Sequence, residues 1–591
     1  MLMAREKRIA TKRPVQKRAG QGTALVDIIP YIFIVAVVPL IVYLYLDNLE
    51  PIEVANWKGS DQYPDFLSWW KSRWFIIASS AGQCLFVFRI IQGRVRIGWK
   101  PGLHIPAALY IILIILSTVT SEYVSIALSG FVARYEGMFV LLFYILNMLV
   151  VSTLINEEGQ VRILFGALLV SASIMCLLGL TQLAGRDFFS TSFGKSFILP
   201  AKYAPSQLSF KYGNMVYGTL SNPNYMGSYA VLVLPIAVAS VFLARGKGLR
   251  IAAAVLSVLL LVNLVGSRSD AGLVGLGAGA VVAVIFFRKK IFRNKIIIAL
   301  FLAVVLAGAG FAASRVLSGA GAGAAEYYLE DMVFEGNTAK IVSSTETLVI
   351  TYEKPHLYFY DTDNNRLEID MSEDGESTVI RFRNPAYQDY SLKLTGDILE
   401  VRNNDVELYL RIRQDSLALV GNAGNDVVHI SKPEAINVRG YEKLGSARIY
   451  IWSRVIPLLK NSILAGYGPD TFTIKFPQDD YIGKVNAYGT PNMIVDKPHN
   501  LYLQIAVNTG LVSLLAFLAL VAVYIVSSVK LYFARDVSSA FASYGTSVFI
   551  GICSYLVTGL FNDSVVAVAS VFWILLGTGF ACNSMSARER Q

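Results

Sequence analysis

Apolar positions along this chain gather in unbroken blocks rather than alternating with polar ones. Most blocks run to about 15–25 residues, the length a helix needs to cross a hydrocarbon core of roughly 30 Å. Inside lipid each backbone amide must find its partner within its own segment, so such blocks are expected to be helices. The pattern predicts about twelve of them, near 24–46, 75–91, 105–119, 138–154, 163–183, 225–244, 251–265, 273–287, 296–312, 511–531, 544–560 and 565–580. Between the ninth and tenth the period changes. Thr347–Tyr352, His356–Tyr360, 378–383 and 406–413 are β-branched and aromatic or alternate in polarity. Turns at Asp363-Asn364-Asn365, Glu373-Asp374-Gly375 and Asn403-Asn404-Asp405 separate them. Short strands at this spacing predict an inserted β-rich domain, a sandwich by its pattern.

Charge then orients the bundle. Lys and Arg in short loops favour the cytoplasm. The first residues carry Arg5, Lys7, Arg8, Lys12, Arg13, Lys17 and Arg18. Later clusters stand at Arg94, Arg96 and Lys100, at Arg245, Lys247 and Arg250, at Arg288 to Lys295, and at Arg588 and Arg590. Twelve crossings put most of these on one side, with both termini cytoplasmic and the β-rich segment outside the plasma membrane. The first block exceeds a signal-peptide core and reads as a retained helix. The expected organisation is a basic tail (1–23), an N-terminal membrane bundle of about nine helices (24–317), an extracytoplasmic β-rich domain (325–440), an extracytoplasmic loop carrying the candidate chemistry (441–510), about three C-terminal helices (511–582) and a second tail (583–591). The Gly- and Ala-rich run 318–325 reads as a hinge into the insert.

Composition agrees with a membrane protein: 54% of the 591 residues are hydrophobic and 16% charged, against about a quarter charged in soluble domains. The insert carries about ten net negative charges, so the rest of the chain is the more basic part. Cys84, Cys176, Cys553 and Cys582 each fall in an apolar block, without CxxC pairs, and read as core thiols. P-loop, zinc and dinucleotide-binding patterns are missing, and Asp361-Thr362-Asp363 reads as turn chemistry rather than a metal site. Neither a metal, another cofactor nor a nucleic-acid partner is expected; the bilayer is.

The distinctive polar segments fall on the outer side of this threading. Arg268 lies in the short turn Gly266-Ser-Arg-Ser-Asp270 between two apolar blocks. Its permanent charge and planar fork suit phosphate oxygens, and an Arg at such depth is costly unless used; the alternative is an interfacial Arg paired with Asp270. Arg448 starts an amphipathic segment with Trp452 and can serve there as a membrane-surface anchor. His499, one of four histidines, can accept a hydroxyl proton or merely cap the helix that follows. Asn222-Pro223-Asn224 has the form of a helix start.

Taken together, these segments resemble the O-antigen ligase and polymerase family. The likeness rests on 131–137, on Tyr217-Gly-Thr-Leu-Ser-Asn-Pro-Asn-Tyr225, on Ser267-Arg268, on Arg448 with Trp452, on Gly466-Tyr-Gly-Pro469, and on His499-Asn500 followed by Asn508-Thr-Gly-Leu511. It covers the membrane part from about Ser129 onward and leaves out the β insert. The resemblance implies metal-independent, inverting transfer of a glycan from an undecaprenyl-pyrophosphate carrier to a glycan, lipid or wall-polymer acceptor. It further implies Arg268 and Arg448 on the pyrophosphate and His499 as base. Arg134, Asn222, Asn224 and Asn500 would line the substrate site. Chain extension by a polymerase uses the same donor. A transporter of lipid-linked sugars is the alternative from another class, and it calls for polar groups near the bilayer midplane.

Overall fold

The computed structural model describes residues 25–57, 60–203, 212–291, 327–533 and 539–589. Among these, nine helices are long and apolar enough to cross a membrane: Trp69–Ile91, Pro101–Val119, Glu158–Leu183, Pro223–Leu243, Lys247–Gly266, Asp270–Arg288, Leu511–Tyr532, Ala540–Thr558 and Val566–Arg588. Leu25–Leu40 and Met138–Leu154 are apolar but shorter. The block expected at 296–312 lies outside the described residues.

The first expected block ends early. Its helix covers Ile29–Ala36, a 3₁₀ turn follows at Val38–Leu40, and Tyr45–Asn48 then pairs as a strand with Gln62–Asp65. Pro39 accounts for the break: it has no N–H to continue the helix, and its ring would crowd the carbonyl one turn back.

Val566–Arg588 is the central element, with its apolar window fully buried by the other helices. Small residues allow that: a Cβ on Gly577 would lie 2.6 Å from the Met148 carbonyl oxygen. Peripheral helices turn large apolar side chains outward, among them Ile112, Val170, Leu177, Phe242 and Val258, as a lipid-facing surface does.

The insert consists of two antiparallel sheets. Leu329–Glu335, Thr338–Ser343, Thr347–Glu353 and His356–Tyr360 form a four-stranded meander; the strands from Ile369–Asp374 to Asp426–Val427 form a seven-stranded one. Leu329, Ile341, Leu348, Ile350 and Phe359 from the first share one apolar cluster with Ile380, Leu392, Leu399, Leu408 and Leu419 from the second. Tyr481, Ile482 and Val485 of the Tyr481–Tyr488 helix complete that cluster, so the insert is seated on the loop ahead of His499. Asn486 pairs with both backbone groups of Leu329, at 2.9 Å each, and the Glu407 N–H donates to the Gly489 carbonyl at 2.7 Å.

Candidate active site

The polar residues at the insert-bearing end converge on one short linker, 559–565, between the last two helices. The Asn562 side-chain amide donates to the Asn224 carbonyl (3.1 Å) and to Ser228 Oγ (2.8 Å). Asp563 Oδ1 accepts the Asn500 N–H at 3.2 Å, while its Oδ2 lies 3.1 Å from His499 Nδ1. The Ser564 N–H donates to Gln504 Oε1 (2.7 Å) and its hydroxyl to Glu136 Oε1 (2.8 Å). The Phe561 carbonyl accepts from Arg448 Nε at 3.1 Å. Segments hundreds of residues apart in sequence therefore meet on these few positions.

Local chemistry fixes each partner. Asn500 caps the Leu501–Asn508 helix, its Oδ1 accepting the N–H groups of Tyr502 (2.9 Å) and Leu503 (3.0 Å). His499 precedes it in the left-handed region, φ 49°, an uncommon conformation for a residue with a Cβ; the Trp452 indole bonds its neighbour, the Pro498 carbonyl, at 2.9 Å. Asn222 caps Pro223–Leu243 by accepting the Asn224 N–H at 2.9 Å, with Pro223 in the first turn. The Arg268 turn packs on that same helix start. A Cβ on Gly227 would lie 2.5 Å from the Ser269 side chain, so only glycine admits this seating.

Pairing then separates the cations. Arg268 is exposed, at φ 52°, and its guanidinium has no ion pair or hydrogen bond among the described residues. Arg448 donates to two carbonyls, Phe561 and Gly445, and has no ion pair among the described residues. Burial pulls its guanidinium below the ordinary range, and Asp563 and Asp270 act in the opposite sense. Arg134 differs. It is buried, with Nε 2.8 Å from Asp470 Oδ1, and its remaining N–H groups reach the Asp470 and Asp496 carbonyls and Thr473 Oγ1. Lys497 lies 3.1 Å from Asp496 and over the Tyr225 ring; burial works against its charge, but Asp496 holds it well above the usual lysine range. Burial also acts to raise Asp496, yet Lys497, Arg134 and His499 hold it below the ordinary carboxylate range.

Residues 415–518 match the family model of the O-antigen ligases. No curated protein and no solved structure matches the chain. The matched segment holds Arg448, Lys497, His499, Asn500 and the whole Leu501–Asn508 helix. Arg268, Asn222, Asn224, Arg134 and the 559–565 linker stand outside it and reach it only through the fold. Of the residues singled out from sequence, His499, Asn500, Arg448, Asn224 and Asn222 meet at the linker or one turn from it, and Arg268 borders them through Gly227 and Asp270. Arg134 lies behind, holding the loop that carries Asp496 and His499.

Sequence reasoning passed over Asp563, Ser564, Glu136 and Lys497. A signal was present: Asn562-Asp563-Ser564 is a polar triplet between two apolar blocks, and a carboxylate there is costly without a role. Among the described residues, no three His, Cys, Asp or Glu side chains are gathered as a metal site would need.

Proposed function

We propose that this multi-pass membrane protein is a glycosyltransferase of cell-surface polysaccharide assembly, moving a glycan from a polyprenyl-pyrophosphate carrier to an acceptor hydroxyl. The observation that carries the reading is the meeting, next to an O-antigen ligase segment, of Arg448 and a His–Asp pair, with Arg268 at their border and neither arginine paired with a carboxylate among the described residues. Cations already neutralised by a buried carboxylate have little to offer a pyrophosphate. Arg268 and Arg448 retain their charge and planar donors for it.

The reaction follows from that arrangement. The acceptor hydroxyl attacks the anomeric carbon as the bond from that carbon to the carrier's phosphate oxygen breaks. His499 takes the hydroxyl proton on Nε2. Asp563, beside Nδ1, favours the tautomer that leaves Nε2 free and stabilises the imidazolium that forms. Arg268 and Arg448 offset the charge gathering on the departing pyrophosphate. One displacement inverts the anomeric centre, and the arginines supply the positive charge a metal would otherwise provide. Asn222, Asn224 and Asn500 shape the pocket, and Arg134 contributes by holding its wall. In this reading the chain crosses the plasma membrane twelve times, both termini are cytoplasmic, and the insert and site face outward, where the carrier presents its glycan. Transfer to a terminal acceptor makes the protein a ligase; the same donor chemistry would serve chain extension.

The test uses the full chain in lipid nanodiscs, an undecaprenyl-pyrophosphate glycan and a panel of acceptors. Acceptor-dependent release of the carrier pyrophosphate is expected, insensitive to chelators and lost in Arg268→Ala and in His499→Ala. Unchanged turnover in a folded His499→Ala variant would overturn the assignment of the base, and no release with any acceptor would overturn the transfer reaction.

A further inference from the structure

Glu136 is a buried carboxyl near the site, and the reaction above gives it no part. It stands in the loop ahead of the Met138–Leu154 helix and is 2% exposed. Oε1 accepts the Tyr144 hydroxyl at 2.5 Å and the Ser564 hydroxyl at 2.8 Å. Oε2 has no hydrogen-bond partner among the described residues. The residue lines a cavity walled by Tyr110, Tyr144, Phe517, Tyr555 and Trp573, which also receives Gln504 and Asn508; Asn508 Oδ1 is likewise buried without a partner among the described residues. Buried polar atoms in this state are rare in folded proteins and cost stability, so a carboxyl kept here calls for a function.

The hydrogen bonds supply one. Ser564 is gripped twice, by Glu136 through its hydroxyl and by Gln504 through its N–H. Gln504 belongs to the helix that begins just after His499. Asp563 is the residue before Ser564, and its two oxygens meet His499 and the Asn500 N–H. The carboxyl beside His499 thus sits between that residue and a clamp anchored on Glu136. We propose that Glu136 is a positioning residue for His499, acting through Ser564 and Asp563, and that its ionised form gives the tighter hold.

A carboxylate is a stronger acceptor than the neutral acid, so loss of its charge slackens the grip on Ser564. Burial, the chief cause, together with Asp470, places the Glu136 carboxyl at about 7; Tyr144, Ser564 and Arg134 act in the opposite sense. Tyr110 and Tyr555 also face it. The grip therefore tightens as pH rises through about 7.

This inference rests on the transfer reaction for its catalytic meaning, but its readout does not need turnover. The chain has four histidines, so ring nitrogens labelled with ¹⁵N can be followed in nanodiscs, with His499 assigned by its loss in His499→Gln. Glu136→Gln and Ser564→Ala are each expected to lower the His499 titration midpoint by about half a pH unit or more, leaving the other histidines in place. Where transfer is measurable, each variant loses roughly tenfold in kcat with donor affinity kept, and the double variant loses no more than the worse single one. A His499 midpoint unmoved in Ser564→Ala, or moved only in Glu136→Gln, would overturn the proposal, the second outcome reducing it to a through-space charge effect. A wild-type protein with no transfer but with both midpoint shifts would sink the reaction and leave the positioning intact.

Discussion

Asp563 and Arg134 show how charged side chains take different duties at the scale of single residues. The Asp563 carboxylate touches a half-exposed imidazole and a backbone N–H, so its removal should affect chemistry more than folding. Asp563→Asn is expected to reduce kcat about 100-fold while donor binding stays within a factor of about two, since the pyrophosphate contacts lie elsewhere; equilibrium binding of labelled donor beside single-turnover rates checks this. Arg134→Ala should act through stability. Its partner Asp470 is buried and also accepts the Phe131 and Glu136 N–H groups, and removing one side of a buried pair costs about 3–5 kcal/mol. A clear drop in melting temperature in detergent is expected, whereas a wild-type melting temperature with lost donor binding would instead make Arg134 a direct ligand. Neither duty could be read from residue type, because an exposed arginine and a neutralised one are spelled alike.

Helix starts do the positioning at the scale of elements. Asn222 and Asn500 each cap a helix whose first turn faces the 559–565 linker, so a cap here aims a site residue as well as satisfying amide groups. Losing one should cost about 1 kcal/mol, and in Asn500→Ala the loss is expected to appear also as a reduced transfer rate, since this residue binds Asp563 and the Leu560 carbonyl as well. Thermal melts beside initial rates separate the two effects. Gly227→Val tests the contact between helices: a side chain there would meet Ser269 and shift the Arg268 turn. A severalfold weaker donor affinity is expected with the fold retained, and unaltered affinity would detach Arg268 from the donor. These pairings were half legible. Pro after Asn marks a helix start by local rules, but which distant turn lies against it depends on the approach of two helices far apart in sequence.

For the whole molecule, the insert is the part whose role the family likeness leaves open, and its seat on the Tyr481–Tyr488 helix makes it a buttress of the His499 loop. Gln478 shows the connection: its carbonyl accepts from Asn422 of the insert (3.2 Å), and its side chain bonds both backbone groups of Val495, just before Asp496. Replacing 329–427 by a short linker is expected to abolish transfer and to expose the loop to limited proteolysis. A reporter placed after Gly421 should be active only outside the cytoplasm, which checks the orientation independently of activity.

The sequence alone determined most of the long elements, the first block with its break at Pro39 excepted. Blocks of apolar residues dictate helices because lipid leaves the backbone no other partner, and alternation with turn residues dictates strands because side chains on a strand point to opposite faces. It also determined the candidate groups His499, Arg448 and Arg268, whose chemistry belongs to their side chains. What only the tertiary structure decided is which charges are spent and which are free. Asp470 claims Arg134, Asp496 claims Lys497, and Asp563 stands beside His499 from a linker that reads in sequence as a bare gap between helices. Charge pairing acts over a few ångströms in space, and proximity between residues hundreds of positions apart arises only when the bundle packs.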